Sequence, residues 1–368
     1  MAPPDVTILG AGIAGLACAL ACAQRGYSVE VFEQAPALTE VGAGLQIAPN
    51  GGRVLDALGV RFRALVSEAV HLIDGRTGKR LVRMPLGSGF RLVHRADLIA
   101  GLAETVRAAG IAVHLGRDVS SVEDGVLALI DGSVHPFQRL IGADGARGPS
   151  RAFVAPDHEA VFTGQVAWRA IVPVRPDWPH EAQVLVGPGR HLVCYPLRDG
   201  QSLNIVAVEE RSDWVADGWN QVDDLENLRA AFAEYVSPVR RLLERVQQVH
   251  LWGLMDHGLR PSWHRGSVTL IGDAAHPTLP FLAQGANLGL EDAWTLAASL
   301  DDPPGWEVAR RPRVERALAA AKANAGNYHL TGAKRVAAHA ALRLADRVRP
   351  QALAARFAWL YEHDVTLE

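Results

Sequence analysis

The run Gly10-Ala11-Gly12-Ile13-Ala14-Gly15 follows the apolar segment VTIL and opens a segment of helix formers. That order has a chemical use. The first glycine makes a tight turn, the second lets a pyrophosphate approach the backbone, and the third lets helix and strand pack closely. The helix N-terminus offers N–H donors and a favourable dipole to phosphate. Glu33, ending the next strand-like run, supplies a carboxylate for ribose hydroxyls and disfavours a 2′-phosphate. Gly10, Gly12, Ala14, Gly15, Glu33 and the adjoining Gln34 are therefore expected to bind a dinucleotide, the alternative being a glycine-rich turn without a ligand.

Three further sites carry polar residues at the ends of strand-like runs. Asp144 and Gly145 follow RLIGA, where an open α/β sheet binds ligands; the alternative is an Asp that caps the next turn. Asp273 follows VTLIG, and beyond it Gly285, Ala286 and Asn287 open a helix whose N–H groups can stabilise negative charge. His276, three residues after Asp273, reads as structural. Arg95, in HRADL, opposes the dipole of the helix that it starts, which favours a ligand role over a solvated charge. In GPGRHLVCYPL, a strand puts His191, Val193 and Tyr195 on one face and Cys194 on the other. His191 and Tyr195 are then about 13 Å apart, room for one aromatic ring. On residue type alone, such a histidine is more often structural.

These residues need two styles of scaffold. Residues 6–35 read strand, helix, strand, and residues 92–150 return to α/β character. Residues 161–210 are short strands with Gly and Pro turns and no helices between them, the pattern of an antiparallel sheet. The stretch DDLENLRAAFAEYV reads as a helix, and one after GLQIAP reads as a helix capped at Asn50. A chain of 368 residues suits two domains. A net charge of −3 points to neither a polyanion nor a charged membrane as partner. Residues 6–23 are apolar enough for a signal-peptide core, but Asp5 and the glycines argue for a folded unit. Cys18, Cys22 and Cys194 suit neither a disulfide framework nor a metal site, and a reducing cytoplasmic setting is expected.

Taken together, VGAGLQIAPNGGRVLDALGV (residues 41–60), RLIGADGARGPSR (139–151) and VTLIGDAAHPTLPFLAQGANLGLEDA (268–293) resemble the class A FAD-dependent aromatic monooxygenases. The likeness is to the branch of salicylate hydroxylase and 3-hydroxybenzoate 6-hydroxylase, and covers nearly the whole chain. It implies an α/β fold: a glutathione-reductase-like FAD-binding Rossmann domain, an inserted and mostly antiparallel β substrate domain, and C-terminal helices. The FAD-binding segments would be residues 1–70, 92–160 and 258–306, the substrate segments 71–91 and 161–257, and the helical region 307–368, packed across or beside the FAD domain. The resemblance implies that Gly44 and Leu45 lie against the flavin ring, that Arg95, Asp144 and Gly145 contact the cofactor, and that Asp273 binds a ribityl hydroxyl. Pro280 stands where 3-hydroxybenzoate 6-hydroxylase has a glutamine near the flavin; salicylate hydroxylases are more similar there.

The His191 and Tyr195 pairing resembles that branch's active-site strand, which implies a phenol base and a positioning tyrosine. The implied partners are FAD, NADH or NADPH, dioxygen and a small aromatic acid, with no nucleic acid and no membrane, in a monomer or homodimer. Two rivals differ in class. A flavin halogenase needs a W-x-W-x-I-P signature, and Trp168-Arg169-Ala170-Ile171-Val172-Pro173 lacks its second tryptophan. A binding protein that keeps the fold without flavin would purify colourless.

Overall fold

Val6–Leu9 is buried at all four positions, as a strand covered on both faces must be. In the computed structural model, which describes residues 3–38, 44–86, 89–156, 159–174, 178–198, 200–213, 221–349 and 352–368, it lies inside a six-stranded sheet. The order is His264–Arg265, Val268–Leu270, Leu140–Gly142, Val6–Leu9, Val29–Phe32, Ala112–His114. All neighbours run parallel except the two-residue edge strand His264–Arg265. Helix Ile13–Gln24 is rich in Ala, Gly and Cys, and these small side chains let it pack closely against helices Arg95–Ala108 and Gly285–Ala298. Cys18 and Cys22 are buried in that contact, and all three cysteines are free.

The second layer is an eight-stranded sheet, in the order Gln221–Val222, His250–Asp256, Val161–Pro173, Ser202–Glu210, Arg190–Leu197, Glu181–Gly187, Ala69–Asp74, Arg80–Pro85. Its neighbours are antiparallel, with one parallel pairing between Glu181–Gly187 and Ala69–Asp74. Strand alternation divides its central residues between two cores. Trp168, Leu192, Cys194 and Ile205 face Phe232, Tyr235 and Leu243 on one side. Ala167 and Val208 face Phe281, Ala325 and Tyr328 on the other.

The structure corrects two local readings. The expected helix over residues 223–236 is shorter: Leu225–Ala231 ends before Phe232, and a separate helix, Ser237–Glu244, follows with Pro238 in its first turn. Asn50 is not a cap. Helix Pro49–Ala57 is capped by the backbone of Ala48, and Asn50 lies inside it, fully buried. The C-terminal helices pack against both sheets. Helix Pro303–Tyr328 buries Trp306, Val314 and Ala321 in the parallel-sheet core and Ala325 against the broad sheet. Helix Gly332–Val348 then packs on strand Arg80–Pro85, where Arg335 and His339 meet Asp74. No helix among the described residues is long and apolar enough to cross a membrane.

Candidate active site

Four neighbouring parallel strands end in the residues that the sequence singles out. Gly10 follows Val6–Leu9 at φ +103°, and a Cβ there would meet the Ala143 carbonyl oxygen at 2.5 Å. Gly15 is tighter still, its added Cβ falling on the Gly10 carbonyl. Gly12 is the opposite case: it starts helix Ile13–Gln24 with no side-chain cap, and nothing lies within 4 Å of a Cβ built on it. The helix N-terminus therefore faces open space. Ala14 packs instead against Gly272 and Gly289. Glu33 follows Val29–Phe32 and accepts from the Ala11 and Ala35 N–H groups at 2.7 and 2.8 Å; Gln34 beside it is exposed.

Asp144 follows Leu140–Gly142. Burial raises its pKa to about 6, against hydrogen bonds from Ser150, whose N–H donates at 2.9 Å. Gly145 beside it has φ +80° and no neighbour in the space of a Cβ. Asp273 follows Val268–Leu270. The residue is exposed, yet desolvation by the surrounding protein raises its pKa against the pull of His276, Arg95 and Arg151. Arg95, the first residue of helix Arg95–Ala108, is thus brought to Asp273 from across the chain. Arg151 ties the two aspartate loops together by donating to the Asp273 and Ala274 carbonyls at 3.0 and 2.9 Å. Its role was invisible in sequence, because a buried arginine and a surface one look alike.

Helix Gly285–Ala298 begins where expected. Gly285 and Ala286 are partly open, and Ala283 just before them has φ +54°, a conformation that costs a non-glycine residue roughly 1–3 kcal/mol. Asn287 is fully engaged: its Oδ1 accepts from Ala48 N–H at 2.9 Å, and its Nδ2 donates to the Gln46 and Ala283 carbonyls. It clamps strand Gly44–Ile47 to this helix rather than offering a free side chain. Pro280 opens the turn Pro280–Leu282 and is exposed. Behind the helix start, Glu291 and Asp292 are buried with Arg310, Arg313, His276 and Asn50. His276 Nε2 lies 2.5 Å from Asp292. Removing one partner of such a set costs roughly 3–5 kcal/mol, so its part is to hold the helix start.

The broad sheet meets this end of the molecule at Gly44. The Gly44 N–H donates to Asn204 Oδ1 at 2.8 Å, and a Cβ on Gly44 would strike the Tyr195 ring at 2.7 Å. Leu45, next in that strand, is partly buried against the parallel-sheet core. Residues 41–43, which begin the same signature, lie outside the described residues. Strand register puts Tyr195 beside Asn204, Val193 beside Val206 and His191 beside Val208, with Ile171, Arg169 and Ala167 completing the three rows. Arg169, missed in the sequence, therefore shares the face of His191 and Tyr195. Its even spacing from Ala167 was the available signal. Asn204 was missed too; its buried Nδ2 has no hydrogen-bond partner among the described residues.

His191 is 2% exposed, its ring 5.6 Å from Phe281 and 5.0 Å from Tyr328. Burial, with His329 next to it, holds its pKa well below the usual histidine value. Burial raises the phenol pKa of Tyr195, and pushes that of Tyr328 up to about 12. Trp168 lies in the opposite core and donates to Asp223 at 2.6 Å, away from this face.

The FAD binding domain family matches residues 4–303. A 3-amino-4-hydroxybenzoate 2-monooxygenase of Streptomyces cremeus is 36% identical over 353 residues, 88% of each chain. A 3-hydroxybenzoate 6-hydroxylase of Polaromonas naphthalenivorans (strain CJ2) is 34% identical over 370 residues, 91% of each. A salicylate hydroxylase in complex with substrate has the same fold, with TM-score 0.82 and 24% identity over 99% of this chain and 97% of that one. The residues present fit FAD: an uncapped helix N-terminus faces open space at Gly12, and the Asp273 carboxyl opens toward a partly open helix start at Gly285.

Proposed function

The chain belongs to the FAD binding domain family, and from that membership we propose that it hydroxylates a small phenolic aromatic acid with NADH or NADPH as reductant. It is an FAD-dependent aromatic monooxygenase. The observation that carries the finer reading is His191: a buried, uncharged imidazole on the strand face of Tyr195, walled by Phe281 and Tyr328. When bound, FAD would supply the redox chemistry between the nicotinamide, dioxygen and the ring.

The rest is the work of side chains. His191 accepts the phenol proton, which makes the ring more nucleophilic. Arg169 offers the substrate carboxylate an opposite charge on the same face, and Tyr195 positions the ring against Gly44 and Leu45. The buried face excludes water. We assign the pyrophosphate to Gly10, Gly12 and Gly15, the ribose to Glu33 and Gln34, and the ribityl chain to Asp273 and Arg95, with Asp144 and Gly145 alongside. Gly285 and Ala286 present helix N–H groups to negative charge on the flavin ring; Ala14, Pro280 and Asn287 shape that site. Residues 1–70, 92–160 and 258–306 then form the cofactor part, and 71–91 and 161–257 the substrate part. The setting is the cytoplasm, as three buried free cysteines favour, and the protein is a monomer or homodimer.

The test is a panel of salicylate, hydroxybenzoates and hydroxynicotinates. One member should accelerate NAD(P)H oxidation and leave one hydroxylated product per nicotinamide consumed. No stimulation and no product across the panel would overturn the reading.

A further inference from the structure

The imidazole assigned above to the substrate phenol is not a dead end. His191 Nδ1 lies 2.7 Å from Nε2 of His329, the residue that ends helix Pro303–Tyr328. His329 Nδ1 in turn lies 2.9 Å from Glu210 Oε1. His329 is buried, whereas the Glu210 side chain is 54% exposed, on a solvent-open hollow of about 430 Å³ that it shares with Thr163, Gln165 and Arg211. Three side chains from two strands and a helix end thus join the buried face to water.

Hydrogen-bond chemistry sets the direction of this chain. A carboxylate only accepts, so His329 carries its proton on Nδ1, facing Glu210. Its Nε2 must then accept, so His191 is protonated on Nδ1 and keeps the lone pair of Nε2 for the substrate. The Gln165 amide also approaches His329 Nδ1, but at 3.4 Å it is the weaker partner. Other charged groups are spoken for: Arg190 and Arg211 both meet Glu209, and the phenol of Tyr328 stays protonated in its buried site.

We propose that His329 and Glu210 form a proton exit for His191, carrying the substrate's phenol proton from the buried face to solvent. This rests on the functional reading above. The phenol O–H bond breaks as its proton bonds to His191 Nε2; the Nδ1 proton of His191 moves to His329 Nε2; the Nδ1 proton of His329 moves to Glu210 and leaves to water. One proton enters and one leaves, and every residue ends uncharged or as it began. Return of a proton to the product oxygen runs the chain backwards and restores both tautomers. His329 and Glu210 touch no substrate; they act through His191.

The experiment uses the FAD-loaded enzyme, as wild type, His329→Gln and Glu210→Gln, with salicylate, 3-hydroxybenzoate and their ring-fluorinated derivatives. Proton release on mixing is followed with a pH-indicator dye, and hydroxylation in single turnovers. Both variants should keep FAD and bind substrate as wild type does. They should release the proton and hydroxylate at least roughly tenfold more slowly. Fluorinated phenols give up a proton readily, so they should restore both variants to within about twofold of wild type, a rescue that a structural role would not produce. Wild-type rates in both variants, or a deficit that fluorination leaves unchanged, would overturn the relay alone. A wild type that hydroxylates no member of the salicylate, hydroxybenzoate and hydroxynicotinate panel would overturn the functional reading beneath it.

Discussion

At the ends of the parallel strands the proposed cofactor side is made largely of backbone: Gly10 at φ +103°, an uncapped helix start at Gly12, another at Gly285. On the broad sheet the proposed substrate side is made of side chains drawn from far apart, with His191 meeting His329 from 138 residues away and Gly44 meeting Asn204 from 160. Backbone sites need particular residues at fixed short spacing, because a turn and the helix after it are contiguous in sequence. Side-chain sites need only that the fold bring suitable groups together.

That difference predicts unequal responses to substitution. The largest effect should fall on the cofactor side. Gly12→Val places a side chain where the fold has room and the pyrophosphate does not, so the protein should fold and purify largely colourless. Asp273→Ala should do the same by removing the proposed ribityl partner. Normal flavin absorbance in both variants would erase the distinction. On the substrate side, effects should be graded. Tyr195→Phe loses one hydroxyl, worth about 1 kcal/mol. Substrate affinity should therefore fall several-fold while flavin content and reduction hold; an unchanged dissociation constant would remove Tyr195 from the substrate's contacts.

The same difference explains what could be read in advance. The α/β class, the antiparallel insert and the aromatic monooxygenase family were legible because strand periodicity and glycine spacing are local. The placement of Glu33 and Asp273 was legible for the same reason: each follows the end of a strand. Asn50 was misread because a polar residue near a helix start usually caps it, and nothing nearby announces the buried Gln284 and Glu291 that it bonds instead. The helix expected through residues 223–236 contains aromatic residues that the fold needed at a turn, where Phe232 and Tyr235 cover the sheet. His191 was visible by its parity with Tyr195, but Arg169 was passed over although it obeys the same parity, and His329 had no local signal at all.

The central claim is that His191 is the base for the substrate phenol. The measurement that tests it most directly is the ratio of hydroxylated product to NAD(P)H consumed by His191→Ala, made with the aromatic acid that wild type turns over. The variant should bind FAD and be reduced, yet hydroxylate roughly a hundredfold more slowly. Its ratio should fall far below one as oxygen is lost to hydrogen peroxide. A ratio and a hydroxylation rate near those of wild type would contradict the account and place the base elsewhere.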